Sequence, residues 1–298
     1  MTRVRGFLKS GASAAAVTVL GLLAACSGPS PTTPTPPTAP TQSPSSASSS
    51  PDSSPSAPGA TPVQLTMGTR EGQNGALQPW WTGSSVHAEV PAGLPVEPKY
   101  RSEFFWNSPN GPRLRVGEGD RLRCRLQIGP HLGGTGADRD IWQVVWQLHG
   151  PNKEGWWPAP PLNLHVRGGS WRIGGGAGRE DGHADYYKPS TPFVDGKTVT
   201  WEFDILVSQH RDKARVDAWM DGAHVVKAWH PASGTMYPSH AWLTMKSGLY
   251  TGNDDKSRNS ERRVVTFSPM SCDITRAAPP AQQAARTASN SSTPTPTP

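Results

Sequence analysis

The chain has 298 residues, with 29 lysines and arginines against 23 aspartates and glutamates. Four of the basic residues (Arg3, Arg5, Lys9 and Arg286) and one acidic residue (Asp52) lie in its low-complexity ends, leaving 25 against 22 between residues 61 and 276. That mild excess suits a polyanionic ligand, no nucleic-acid motif accompanies it, and the cysteine and histidine spacings fit no zinc pattern.

Residues 1–26 read as a secretory signal: a basic start, an apolar run, and LLAAC ending at Cys26. Small residues before a cysteine resemble a bacterial lipobox. Lipid on Cys26 would hold the protein to a bilayer without a spanning helix, and would make it exported and anchored on the extracytoplasmic face of the cell membrane. Residues 27–60 are almost all Pro, Ser, Thr and Ala, too poor in apolar side chains to offset the entropy of ordering, and are expected to be a disordered linker. The tail, 277–298, has the same character. One domain is left, residues 61–276, a size that suits a single all-β sandwich. It is expected to be monomeric.

Within that domain apolar residues alternate with polar ones, and no segment shows a helical repeat. In RSEFF (101–105), Arg101, Glu103 and Phe105 share a face. RLRCRLQI (121–128) puts Leu122, Cys124, Leu126 and Ile128 on one side and Arg121, Arg123, Arg125 and Gln127 on the other. IWQVVWQLH (141–149) offers Trp142, Val144, Trp146 and Leu148 as an apolar face, with Gln143, Gln147 and His149 opposite. Trp156 and Trp157 follow in a loop and could stack on sugar rings. The long Gly-rich stretch 174–189 could be a lid; its His183 and Tyr187 are reserve site residues. VTWEFDILV (199–207) and RVDAWM (215–220) alternate again, and Asp221-Gly222 before AHVVKAW is a hairpin signal. WLTMKSGLY (242–250) points Leu243, Met245 and Leu249 one way and Thr244, Lys246 and Tyr250 the other. GNDD (252–255) offers oxygen ligands without a complete calcium loop and reads as a solvated turn, so no metal is assigned. RRVVTFSPMSCDIT (262–275) is expected to form a closing strand.

With Cys26 set aside, Cys124 and Cys272 suggest a disulfide in an exported domain; two buried thiols are the alternative. Many short strands with Gly- and Pro-rich joints indicate a β-sandwich or jelly roll.

The ordered set RSE, QLH and KSGLY resembles three motifs of jelly-roll polysaccharide lyases. Alginate lyases carry Arg-x-Glu-Leu-Arg, Gln-Ile/Val-His and Tyr-Phe-Lys-Ala-Gly-x-Tyr. The layout of residues 101–275 also resembles glucuronan lyases and the heparin lyase I-like group. Phe105 stands where the alginate lyase pattern has its second arginine, and Ser247 where it has alanine. The resemblance implies an all-β, concanavalin A-like β-jelly-roll sandwich of two antiparallel sheets. It also implies cleavage of a uronate-containing polysaccharide by β-elimination, without an obligatory cofactor, although some relatives bind calcium.

That chemistry removes the C5 proton beside a carboxylate and expels the C4 oxygen. Donors must first hold the carboxylate and its developing enediolate; Gln147 and Arg101 suit this, because amide and guanidinium groups donate without competing for the proton. His149 fits a base and Tyr250 an acid, or Tyr250 serves as both. Lys246, Glu103, Gln143, Trp156, Trp157 and Tyr187 are expected to bind substrate. A glycoside hydrolase would need two carboxylates across the scissile bond. Glu202 and Asp204 share a strand face, but Val207 occupies the position where a third acidic residue is expected. A non-catalytic carbohydrate-binding lipoprotein is the stronger alternative, because a fold does not dictate activity.

Overall fold

The computed structural model describes residues 63–95, 99–109, 111–133, 141–151, 159–175, 184–187, 192–252 and 261–277. Among these there are strands and no α-helix. In chain order they are β1 (Val63–Gln64), β2 (Thr66–Gln73), β3 (Trp80–Thr82), β4 (Ser85–Val90), β5 (Lys99–Asn107) and β6 (Arg115–Val116). Then come β7 (Arg121–His131), β8 (Gln143–His149), β9 (Leu162–Arg167), β10 (Ser170–Gly175), β11 (Ala184–Tyr187) and β12 (Val199–Leu206). The last are β13 (Arg215–Met220), β14 (Ala223–Trp229), β15 (Leu243–Gly252), β16 (Arg263–Phe267) and β17 (Ser271–Thr275).

They form two antiparallel sheets. The nine-stranded sheet runs β14–β13–β12–β7–β16–β4–β3, with β17 also on β7 and β1 on β17. The eight-stranded sheet runs β11–β10–β9–β8–β15–β5–β2, with β6 on β15. The two-sheet sandwich expected from the alternation is therefore present. Alternation builds it directly: Leu122, Leu126, Trp201, Phe203 and Ile205 from one sheet meet Trp146, Leu148, Leu164, Met245 and Leu249 from the other in a single core. Trp146 stacks on Phe203, with centroids 4.7 Å apart and planes within 10°, and Trp171 meets Trp201 edge-on at 5.6 Å. Such aromatic pairs contribute about 0.5–1.5 kcal/mol beyond the area they bury.

Cys124 on β7 and Cys272 on β17 lie directly opposite each other, Cα atoms 4.1 Å apart, and are joined by a disulfide. The bridge spans 148 residues; closing so long a loop in the unfolded chain is worth about 4–5 kcal/mol on the chain-entropy model. Asp221 and Gly222 both have positive φ, 50° and 79°, which a two-residue type I′ hairpin requires.

Two expectations need correction. Residues 262–275 form two strands, not one: Pro269 has no N–H to give a ladder, and Ser268 N turns to Gln127 O at 3.1 Å. β16 and β17 then share one edge of the long strand β7. The second correction is in β8. Its register shifts between Val144 and Trp146 against β9, and β15 shifts opposite it between Ser247 and Tyr250. A bulge reverses alternation. Val145, Trp146 and Leu148 enter the core, whereas Val144 pairs with Tyr250 and His165 on the outer face. Gln143 pairs with Thr251 and with the core residue Val166, so it shares their inward side and does not join Gln147.

Candidate functional site on the outer face of the eight-stranded sheet

The three polar strand faces singled out from the sequence lie on adjacent strands of one sheet. β15 is central, with β8 on one side and β5 on the other. Register fixes the rows. His149 is opposite Thr244; Gln147 is opposite Lys246, which is opposite Phe105; Glu103 is opposite Gly248; and Tyr250 is opposite Arg101. Gly248, at φ 146°, is required there, because a Cβ would stand 2.2 Å from Ser102 O on β5.

Four charged side chains interlock at the centre. Lys246 Nζ donates to Glu71 Oε2 at 3.1 Å and lies 3.8 Å from Glu103 Oε2. Arg101 Nε is 3.2 Å from Glu103 Oε2, and Arg101 Nη1 is 3.4 Å from Glu71 Oε2. Gln147 Nε2 donates a short hydrogen bond to Glu103 Oε1. Glu103 and Lys246 are almost wholly buried, at 2% and 7% side-chain exposure. Burial works against the Glu71 carboxylate, but the charges of Lys246 and Arg101 outweigh it and hold its pKa below the usual value. Burial likewise opposes the Arg101 charge, yet Glu103, Tyr250 and Glu71 raise its pKa.

At one end of this cluster, His149 Nδ1 is 2.6 Å from Gly150 O. A carbonyl oxygen only accepts, so Nδ1 carries the proton and Nε2 presents a lone pair. Burial, followed by the charges of Lys246, Arg101 and His240, pushes the His149 pKa down to about 4, against a smaller opposing effect of the Gly150 bond. The ring is therefore neutral near pH 7. At the other end, the Tyr250 ring packs edge-on to Trp142, with centroids 4.9 Å apart, and beneath the Arg101 guanidinium at 4.5 Å. On β8, His149 and the partner of Tyr250 are five residues apart, roughly 16 Å along the strand. Gln147, Lys246 and Glu103 occupy the interval, and Arg101, opposite Tyr250, reaches back over it, so that its charge bears on His149 as well as on Tyr250.

Gln147, His149, Arg101, Glu103, Lys246 and Tyr250 are thus together on this face, and Gln143 is not. Lys246 is engaged by carboxylates and bears on Tyr250 only through the shared cluster. Tyr187 belongs to β11 at the edge of the same sheet, and only its backbone is described. Cys26, Trp156, Trp157 and His183 lie outside the described residues, as do positions 253–255 of GNDD. Glu202 and Asp204 belong to the other sheet, where they pair with Arg125 at 3.6 Å and Arg123 at 3.1 Å.

The face also holds residues that sequence reading passed over. Glu71, opposite Glu103 on β2, completes the charge cluster; nothing in TMGTREGQ marks it. Trp142, expected in the core, is carried outward by the β8 bulge. Asn163 on β9 is opposite Gln147 and buried; its Oδ1 is 2.7 Å from His165 Nδ1, and its Nδ2 has no hydrogen-bond partner. His240 packs against Gly150, where a Cβ would meet its ring at 2.1 Å. A cavity of about 420 Å³ lies elsewhere, lined by Glu118, Ser208, Lys213 and His230, and Ser208 Oγ and Gln209 N already occupy the Glu118 carboxylate. Among the described residues no group of acidic, histidine or cysteine side chains is arranged to hold a metal.

No protein-family model matches the sequence, and no curated protein sequence matches it either. Solved structures do. An endo-β-1,4-glucuronan lyase from the fungus Trichoderma reesei aligns with a TM-score of 0.50 at 13% identity, over 72% of this chain and 90% of that one. The fold is the jelly roll of polysaccharide lyases. A marine family 7 alginate lyase from Zobellia galactanivorans is similar at 15% identity and a TM-score of 0.43, over 72% of this chain and 96% of its own. Alginate lyase AlgAT5, also of polysaccharide lyase family 7, gives 15% and 0.43, over 65% and 79%. Identities this low speak for the jelly roll alone; the chemistry rests on the outer face.

Proposed function

We propose that this jelly roll is a polysaccharide lyase that cleaves a uronate-containing chain by β-elimination. The observation that carries the reading is the single face on which a neutral His149, the Gln147 amide, Arg101 and Tyr250 surround a buried, charge-balanced cluster. Glu103 fixes Gln147 by accepting one N–H, which leaves the second N–H for a substrate carboxylate. His149 Nε2 takes the C5 proton. The C5–H electron pair becomes the C4–C5 double bond, the C4–O bond breaks, and the Tyr250 hydroxyl protonates the departing oxygen.

His149 and Tyr250 are separate groups on one face, and Arg101 is electrostatically coupled to both. A separate base and acid suit uronates whose C5 proton and C4 oxygen lie on opposite faces of the ring, such as guluronate, galacturonate or iduronate. Preference for glucuronate or mannuronate, where both lie on one face, would instead assign both proton transfers to Tyr250. The test is ultraviolet absorbance of unsaturated products after incubation with alginate, pectate, glucuronan and heparin-type chains. Absence of absorbance on all four would overturn the proposal. Sugar binding without turnover, indifferent to Tyr250→Phe, would establish a carbohydrate-binding protein instead. We further propose that lipid on Cys26 anchors the enzyme outside the cytoplasm, with residues 27–60 as its tether; the small residues before Cys26 and the tether's composition support this. Release of the chain from membranes by a Cys26→Ser substitution is the check.

A further inference from the structure

The central cluster is electrically closed. Arg101 and Lys246 are matched by Glu71 and Glu103, so its cations add little net field for an anionic chain. Two other guanidinium groups on the same side are not matched. Arg113 bridges to Asn107 at the end of β5, and Arg115, on β6, pairs with Thr244, the residue opposite His149. Between and after them Leu114 and Val116 enter the core, so alternation turns both arginines outward. The Arg113 guanidinium lies over the Phe105 ring, 3.4 Å from its centroid, and Lys246 Nζ is 4.4 Å from the same centroid. Arg115 lies over the Trp242 ring at 4.3 Å. Among the described residues neither arginine has a carboxylate within 4 Å. Burial and the charge of Arg115 lower the Arg113 pKa against a contribution from Glu71; a bound anion would relieve that repulsion. Aromatic rings hold the planar groups in place without neutralising them, which leaves their N–H forks for a ligand.

We propose that Arg113 and Arg115, seated on Phe105 and Trp242, form a subsite for the carboxylate of the uronate unit next to the one that reacts. The inference rests on the polyuronate reading above and deepens it. The arginine pair gives a polyanion its foothold beside His149, while the neutralised cluster positions the reacting unit.

The test measures binding and turnover separately on the full chain, with one oligouronate from the panel and its carboxyl-reduced, neutral counterpart. In R113Q/R115Q, affinity for the oligouronate should fall about tenfold, KM should rise in step, kcat should stay within about twofold, and the salt dependence of binding should flatten. R113K/R115K, which keeps charge but loses the fork, should fall between. K213Q/K227Q, with the same charge change on β14 and in the turn before β13, should match wild type, and the neutral oligosaccharide should bind every variant equally weakly. Unchanged affinity and salt slope in R113Q/R115Q, with wild type active, overturns the subsite alone. Arginine-dependent binding without turnover overturns the lyase reading alone. Failure of wild type to bind any oligouronate overturns both.

Discussion

The two outer faces of the sandwich use the same ingredients to different ends. On the nine-stranded sheet, Arg121, Arg123 and Arg125 face Asp204 and Glu202 across β7 and β12, and Arg215 pairs with Asp217. Arg125 and Glu202 are 62% and 43% exposed, so water and salt screen them and each such pair is worth under about 1 kcal/mol. On the eight-stranded sheet, Glu103 at 2% and Lys246 at 7% have little access to water. There each charge depends on its neighbours, and a nearby imidazole is kept neutral. The lesson is that charge alternation on a strand does not by itself separate the faces: Asp217 is also buried, at 4%, but it is paired with exposed Arg215, whereas Glu103 and Lys246 are opposite charges buried together.

The largest expected contrast is in turnover. Tyr250→Phe should lower kcat by about 10²–10⁴-fold, measured as unsaturated product, whereas Glu202→Gln should leave it unchanged; equal rates in all three proteins would erase the distinction between the faces. Stability should separate them next. Glu103→Ala leaves Arg101 and Lys246 short of a buried partner and should cost about 3–5 kcal/mol, while Glu202→Ala should cost under about 1 kcal/mol, both read from denaturant midpoints. A Glu103→Ala protein as stable as wild type would show that the cluster is solvated after all.

The third contrast is in pH. Because the folded His149 refuses a proton until about pH 4, the unfolded chain binds more protons between there and its ordinary value near 6.5. This contribution to stability is fully present above about pH 6.5 and is lost as pH falls toward 4, by up to roughly 3 kcal/mol. His149→Ala should remove that part of the slope, and an NMR titration of His149 with a midpoint near 6.5 would sink the account. The smallest effect is in salt. Raising ionic strength should erase the few tenths of a kcal/mol separating wild type from Glu202→Ala and barely change the Glu103→Ala difference.

Much of the architecture was legible because it depends on period-two alternation, which a single chain displays openly. Leu122 to Ile128, Val199 to Ile205 and the Asp221-Gly222 hairpin stand as their patterns imply. So do Arg101, Glu103, Gln147, His149, Lys246 and Tyr250 on one side of one sheet, because β5 and β15 keep a regular register with each other. What failed was local. The β8 bulge carries no composition signal, and one extra residue was enough to send Trp142 outward and Gln143 inward.

The amino-acid sequence alone determined the period-two strands and which polar residues share a strand face, since each follows from neighbours along the chain; it suggested the Cys124–Cys272 bridge only by elimination. Only the tertiary structure decided which carboxylates complete the cluster, which histidine is neutral, and which arginines remain unmatched. Those properties depend on burial and on charges brought from strands far apart in sequence: Glu71 meets Lys246 across 175 positions. Electrostatic energy depends on distance and solvent access in space, and neither is written in the order of residues along one strand.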